Sequence, residues 1–249
     1  WATEALATLF VLIRLYSRFR SHRRLFWDDA FVIFAWILTF VTAFLWQWQA
    51  PPMYWILDVD AGRAPPTADI YEKQILWLKV SLTVEIFFYT GLTAVKLSIL
   101  FFFRRLGDNI HRFKLYWWPV TLFVLAIWFA CLGNVQYHCE IGTVQQLDTR
   151  YCTTEAASQF TSVTLIVNAA LDVLSDFMII MIPVWLLWKV QMHIKRKLAL
   201  IGLFSLSLVT MAVAIARAAD LSATMWSNGT HDPTYLWLWS AIEPCIGML

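Results

Sequence analysis

Charge is what this chain has least of. Only 14% of its 249 residues are Asp, Glu, Lys or Arg, against 60% hydrophobic. A soluble domain carries about a quarter charged residues and about half apolar ones. An aqueous surface is therefore not what this composition builds, and the class shifts to a membrane protein. Cysteine is scarce as well. There are four, none in a CxxC pair, which sets aside a zinc ribbon or a thioredoxin-like site. None of the five histidines (His22, His111, His138, His193, His231) falls well inside an apolar run. An intramembrane zinc hydrolase needs ligands converging at depth, so none is expected. GxSxG, HExxH and P-loop patterns are missing. The last apolar run has no lysine up to residue 249 that could hold retinal as a Schiff base. No enzymatic activity, metal, cofactor or nucleic-acid partner is expected. There is no internal repeat and no low-complexity segment. No basic n-region or cleavage site marks a signal peptide. Trp1 opens the sequence without a Met, as expected of a piece of a longer chain.

What the chain does have is apolar runs near the 20 residues a spanning helix needs. Seven stretches qualify, at about 1–17, 28–47, 76–103, 115–136, 160–188, 198–220 and 234–249. The expected fold is all-α: a single seven-transmembrane bundle over 1–249. Basic residues alternate between the loops. Arg18, Arg20, Arg23 and Arg24 follow the first stretch, Arg104, Arg105, Arg112 and Lys114 the third, and Lys189, Lys195, Arg196 and Lys197 the fifth. The other side carries only Arg63, Lys73, Lys79 and Arg150. The positive-inside bias then places the basic loops in the cytoplasm and the N-terminus outside. Trp27, Trp46, Trp48, Trp77, Trp117, Trp118, Trp185, Trp188, Trp237 and Trp239 fall where headgroup belts are expected. Pro51-Pro52 and Pro65-Pro66 predict an irregular first outer loop. Cys139 and Cys152 share the second outer loop, where an oxidising compartment predicts a disulfide; the alternative is two unpaired thiols. Cys131 and Cys245 read as small packing residues inside helices. Asn228-Gly229-Thr230 is a glycosylation sequon on the outer side, in a short loop.

Ionisable groups within spans are costly and are default candidates for function. Glu85, Tyr89 and Lys96 share one face of the third helix, and Asn168, Asp172 and Asp176 one face of the fifth. Lys96 is expected to pair with Asp176 or Asp172. Glu85, Arg217 and Glu243 are expected in the outer half, where Glu85 or Glu243 would pair with Arg217. Two readings stay open. The pairs are interhelical glue, or they line a ligand pocket above and a conformational switch below. Asp28 and Asp29 open the second helix opposite Arg14 and Arg18, and predict a cytoplasmic clamp.

The stretches Arg14-Leu15-Tyr16-Ser17-Arg18, Trp27-Asp28-Asp29-Ala30, Val95-Lys96-Leu97-Ser98-Ile99-Leu100 with Arg104-Arg105, Asp172 and Asp176 with Ile182-Pro183, Lys197 with Gly202, Arg217 with Asp220, and Trp239-Ser240-Ala241-Ile242-Glu243 together resemble a known group. These are the fungal integral membrane proteins with a rhodopsin domain. They are related to receptors of pathogenic fungi that carry an extracellular CFEM module and resemble G-protein-coupled receptors. The resemblance covers nearly the whole chain and implies a seven-helix, N-out protein of the fungal plasma membrane. The second outer loop departs from the family, with Glu140-Ile141 after Cys139 and no Trp before Cys152. The resemblance points to a sensor of an extracellular or membrane-borne cue, with a cytoplasmic G protein as partner. The alternative is a transporter or channel for ions or small solutes.

Overall fold

The computed structural model describes residues 1–22, 26–65, 67, 69–107, 113–135, 137, 141, 155–189, 202, 205, 208–213, 215–216 and 233–248. The described residues are helical, with no strand among them. We number the helices α1 (Ala2–His22), α2 (Trp27–Asp60), α3 (Ile70–Gly107), α4 (Phe113–Gly133), α5 (Glu155–Lys189) and α6 (Pro233–Met248). Residues 208–213 and 215–216 are also helical and belong to the sixth apolar stretch of the sequence, so α6 corresponds to the seventh. Four helices are long and apolar enough to cross a membrane: Trp27–Val59, Ile70–Arg105, Phe113–Gly133 and Gln159–Val184.

The second helix corrects the expectation of an irregular loop at Pro51-Pro52. Both prolines lie inside α2, which runs on to Asp60. Proline's fixed φ is compatible with a helix; what it removes is the amide donor to the carbonyl four residues back. Apolar spans tolerate this where neighbouring groups satisfy the freed carbonyls. The helix stops at Gly62 instead. Its φ of 71° is left-handed, and its N–H donates to the Val59 carbonyl at 2.9 Å. That is a residue type and geometry that end helices.

Polarity is distributed inside out. Leu9, Phe10, Leu12, Ile13 and Phe19 of α1 are exposed, as are Phe34, Ile37, Phe40 and Phe44 of α2 and Phe160, Val163, Phe177 and Met181 of α5. In contrast, Lys96, Asp176, Asn168, Ser98, Asp28 and Asp29 are buried. Lipid-facing apolar stripes around a polar interior suit a bilayer as solvent.

At the centre stands α3. The apolar window of α3 is 61% buried, whereas the other three spans have 28% to 39%. It packs on α4 and α5 through Leu100, Phe103, Phe113, Trp117, Val124 and Ile179. On its other side Val95 and Ala94 meet Ala7, Val11, Val32, Ala35 and Met248. Trp117 and Trp237 differ from the expected interfacial belt, since both are buried. Trp117 satisfies its indole N–H on the Leu100 carbonyl at 2.7 Å, which lets the ring enter the core. Trp27, Trp48 and Trp118 are exposed, as a belt requires.

Candidate functional site

The i, i+4 spacing of Asp172 and Asp176 places both carboxylates on one stripe of α5. Facing them from α3, Lys96 bonds to both. Its Nζ donates to Asp172 Oδ1 at 2.8 Å and to Asp176 Oδ1 at 2.9 Å. It also reaches the Asp172 carbonyl at 3.0 Å and Ser175 Oγ. Ser175 in turn donates to the Asp172 carbonyl at 2.7 Å. An ammonium has three donors, and here four oxygens from one turn of α5 surround it. A lone lysine at mid-bilayer costs about 2.5–3.5 kcal/mol on insertion scales, so these partners are what make its placement tenable.

Two small cavities flank this knot. One, about 30 Å³, is lined by Lys96, Asp172, Asp176, Thr210 and Glu243. The other, about 10 Å³, is lined by Tyr89, Thr93, Lys96, Trp128, Asp172 and Ser175. Both are of a size to hold water, which takes roughly 10–15 Å³ by this measure, and both offer a few polar groups in mainly apolar walls. Beyond the second, Asn168 extends the polar track. Its Nδ2 donates to Tyr89 Oη at 3.0 Å, and its Oδ1 accepts from Asn134 Nδ2 at 3.2 Å. Neither Ser175 nor Asn134 stood out in the sequence, since short polar residues are common in helices and only the fold shows their direction.

The outer group of Glu85, Arg217 and Glu243 is described only in part. Arg217 lies outside the described residues. Glu85 is half-buried on α3, eleven residues before Lys96 and so about 16 Å away along the axis. Glu243 instead lines the cavity beside Lys96. The last helix begins at Pro233, within one residue of the expected start, so the packing of α6 against α3, not a shifted helix limit, gives Glu243 these neighbours. Cys139, Cys152 and Asn228 also lie outside the described residues. Cys131 is buried beside Phe88 and Leu92, while Cys245 does more than pack. Its Sγ–H donates to Glu4 Oε2 at 3.2 Å, joining α6 to α1. Glu4 went unnoticed in the sequence because it sits at the edge of the first apolar run, where a charge is ordinary.

At one end of the bundle the structure brings Arg14, Arg18, Asp28 and Asp29 together. Arg14 reaches Asp28 at 3.2 Å and Asp29 at 3.4 Å; Arg18 reaches Asp28 at 3.0 Å. Asp29 also accepts the Phe26 N–H at 3.2 Å, capping α2. Ser98 of α3 donates to the Asp28 carbonyl at 2.8 Å, so the clamp joins three helices. Ser98 stands two residues after Lys96, so the short Lys96-Leu97-Ser98 run supplies a contact to each side of α3.

The fungal rhodopsin domain family matches residues 13–249. A protein of Emericella nidulans described as a SAT4 family membrane protein is 32% identical over 76 residues. The shared segment covers 30% of this chain and spans 19% of that protein's length. No solved structure matches the chain. The family match takes in the clamp, the Lys96 knot and the Glu243 cavity alike, and on that extent the chain belongs to the fungal rhodopsin domain family.

Proposed function

We propose that this protein is a seven-helix, receptor-like sensor of the fungal plasma membrane, with its N-terminus outside and its basic end in the cytoplasm. It performs no catalysis. Its cue binds in the outer half near Glu85 and Arg217, beneath a loop closed by Cys139 and Cys152, and Asn228 lies on the same side. A cytoplasmic G protein reads the result. The observation that carries the reading is Lys96, held by Asp172 and Asp176 of α5 yet sharing a cavity with Glu243 of α6. An ammonium with carboxylates on two helices within one cavity has two arrangements available. A bundle with two arrangements can be biased by a ligand that favours one.

Binding of a purified Gα subunit to the full-length protein in nanodiscs tests this. Asp176→Asn leaves Lys96 one carboxylate fewer on α5 and is expected to change Gα binding several-fold while the protein stays folded. No Gα binding by either form would contradict the receptor reading. The two cavities flanking Lys96, each with charged side chains in a mainly apolar wall, favour a second reading, an ion or small-solute path. Ion-dependent flux in vesicles, abolished by Asp176→Asn, would establish it instead.

A further inference from the structure

Where α1 and α3 finish and α2 and α4 begin, the basic side chains are of two kinds. Arg14 and Arg18 are engaged by Asp28 and Asp29. Arg104 and Arg105 are not: neither has a carboxylate in contact among the described residues. Each lies over an aromatic ring instead. Arg104 Cζ is 4.9 Å from the centroid of Trp117, and Arg105 Cζ is 3.7 Å from that of Phe26. Stacking occupies the flat face of a guanidinium and leaves its N–H edge for an oxygen ligand. The Trp117 ring is itself held by its bond to the Leu100 carbonyl. Both side chains are therefore oriented by rings, with no carboxylate beside them among the described residues.

Their height matters as much as their charge. The apolar run of α3 ends at Phe103 and the two charges follow it directly, which is where a spanning helix leaves the hydrocarbon. Trp118 and Tyr116 of α4 and Trp27 of α2 are exposed at the same level. We infer that Arg104 and Arg105 hold the phosphate of an anionic phospholipid headgroup at the surface where the ends of α2, α3 and α4 meet. The planar fork of arginine matches phosphate oxygens, and exposed rings at headgroup height favour a lipid over an acidic protein as occupant. The inference rests on α3 spanning the membrane and stands apart from the sensor reading.

The full-length chain in neutral detergent is titrated with phosphatidylinositol 4-phosphate or phosphatidylserine, with phosphatidylcholine as reference, and bound lipids are counted by native mass spectrometry. The anionic lipids are expected to bind ahead of phosphatidylcholine. At about 1 kcal/mol per basic side chain, Arg104→Gln with Arg105→Gln weakens them about thirty-fold. Arg104→Lys with Arg105→Lys keeps the charge but loses fork and stacking, so its affinity falls between; this pair decides the matter if the glutamine pair does not fold. Arg63→Gln, at the opposite end, leaves binding unchanged. Equal binding of neutral and anionic lipids overturns the inference. So does an undiminished preference in a folded double variant, or displacement of the lipid by inorganic phosphate at matched concentration.

Discussion

Lys96 shows how much one buried charge can demand of its neighbours. Its ammonium is satisfied only because a single turn of α5 offers two carboxylates, a carbonyl and a hydroxyl. Removing the lysine leaves two carboxylates facing each other without their shared cation. Breaking a buried pair from one side costs about 3–5 kcal/mol. Lys96→Ala is therefore expected to lower the thermal midpoint in detergent far more than Asp176→Asn, which leaves a one-to-one pair with Asp172. Equal losses for the two variants would contradict this account of the knot. The pairing itself was legible in the sequence, because the i, i+4 acids and the lone deep lysine define faces that must meet. Glu243 was not. Its neighbours depend on how α6 packs against α3, and apolar run length does not give that.

Among the helices, α3 organises the rest, and its end is fitted tightly to α4. A Cβ on Gly107 would lie 2.7 Å from the ring carbons of Phe113, which is 1% exposed in the core. Such overpacking costs about 1–3 kcal/mol. Gly107→Ala is expected to lower the thermal midpoint, while Gly107→Ala with Phe113→Leu recovers part of it; a single variant as stable as the parent would contradict the packing described. Helix existence followed from apolar run length, yet the limits moved. The second helix passed through Pro51-Pro52 to stop at Gly62, because proline removes a donor whereas a left-handed glycine turns the chain away. Trp117 and Trp237 misled in the opposite sense. Aromatic anchors and aromatic core residues look alike in sequence, and only a hydrogen-bond partner such as the Leu100 carbonyl separates them.

Across the whole molecule, charge is sorted by end. Arg14, Arg18, Arg104 and Arg105 gather where α1 and α3 finish. Asp58, Asp69 and Glu72 stand where α2 finishes and α3 begins. The clamp and the lipid-binding arginines share the first end, so both depend on which side of the membrane it occupies. Labelling with a membrane-impermeant thiol reagent in intact cells tests this most directly, in a background with Cys139 and Cys152 changed to Ser. With the basic end in the cytoplasm, Arg63→Cys labels from outside, and Arg20→Cys labels only after permeabilisation. The reverse pattern, or labelling of both in intact cells, would contradict the orientation on which the account rests.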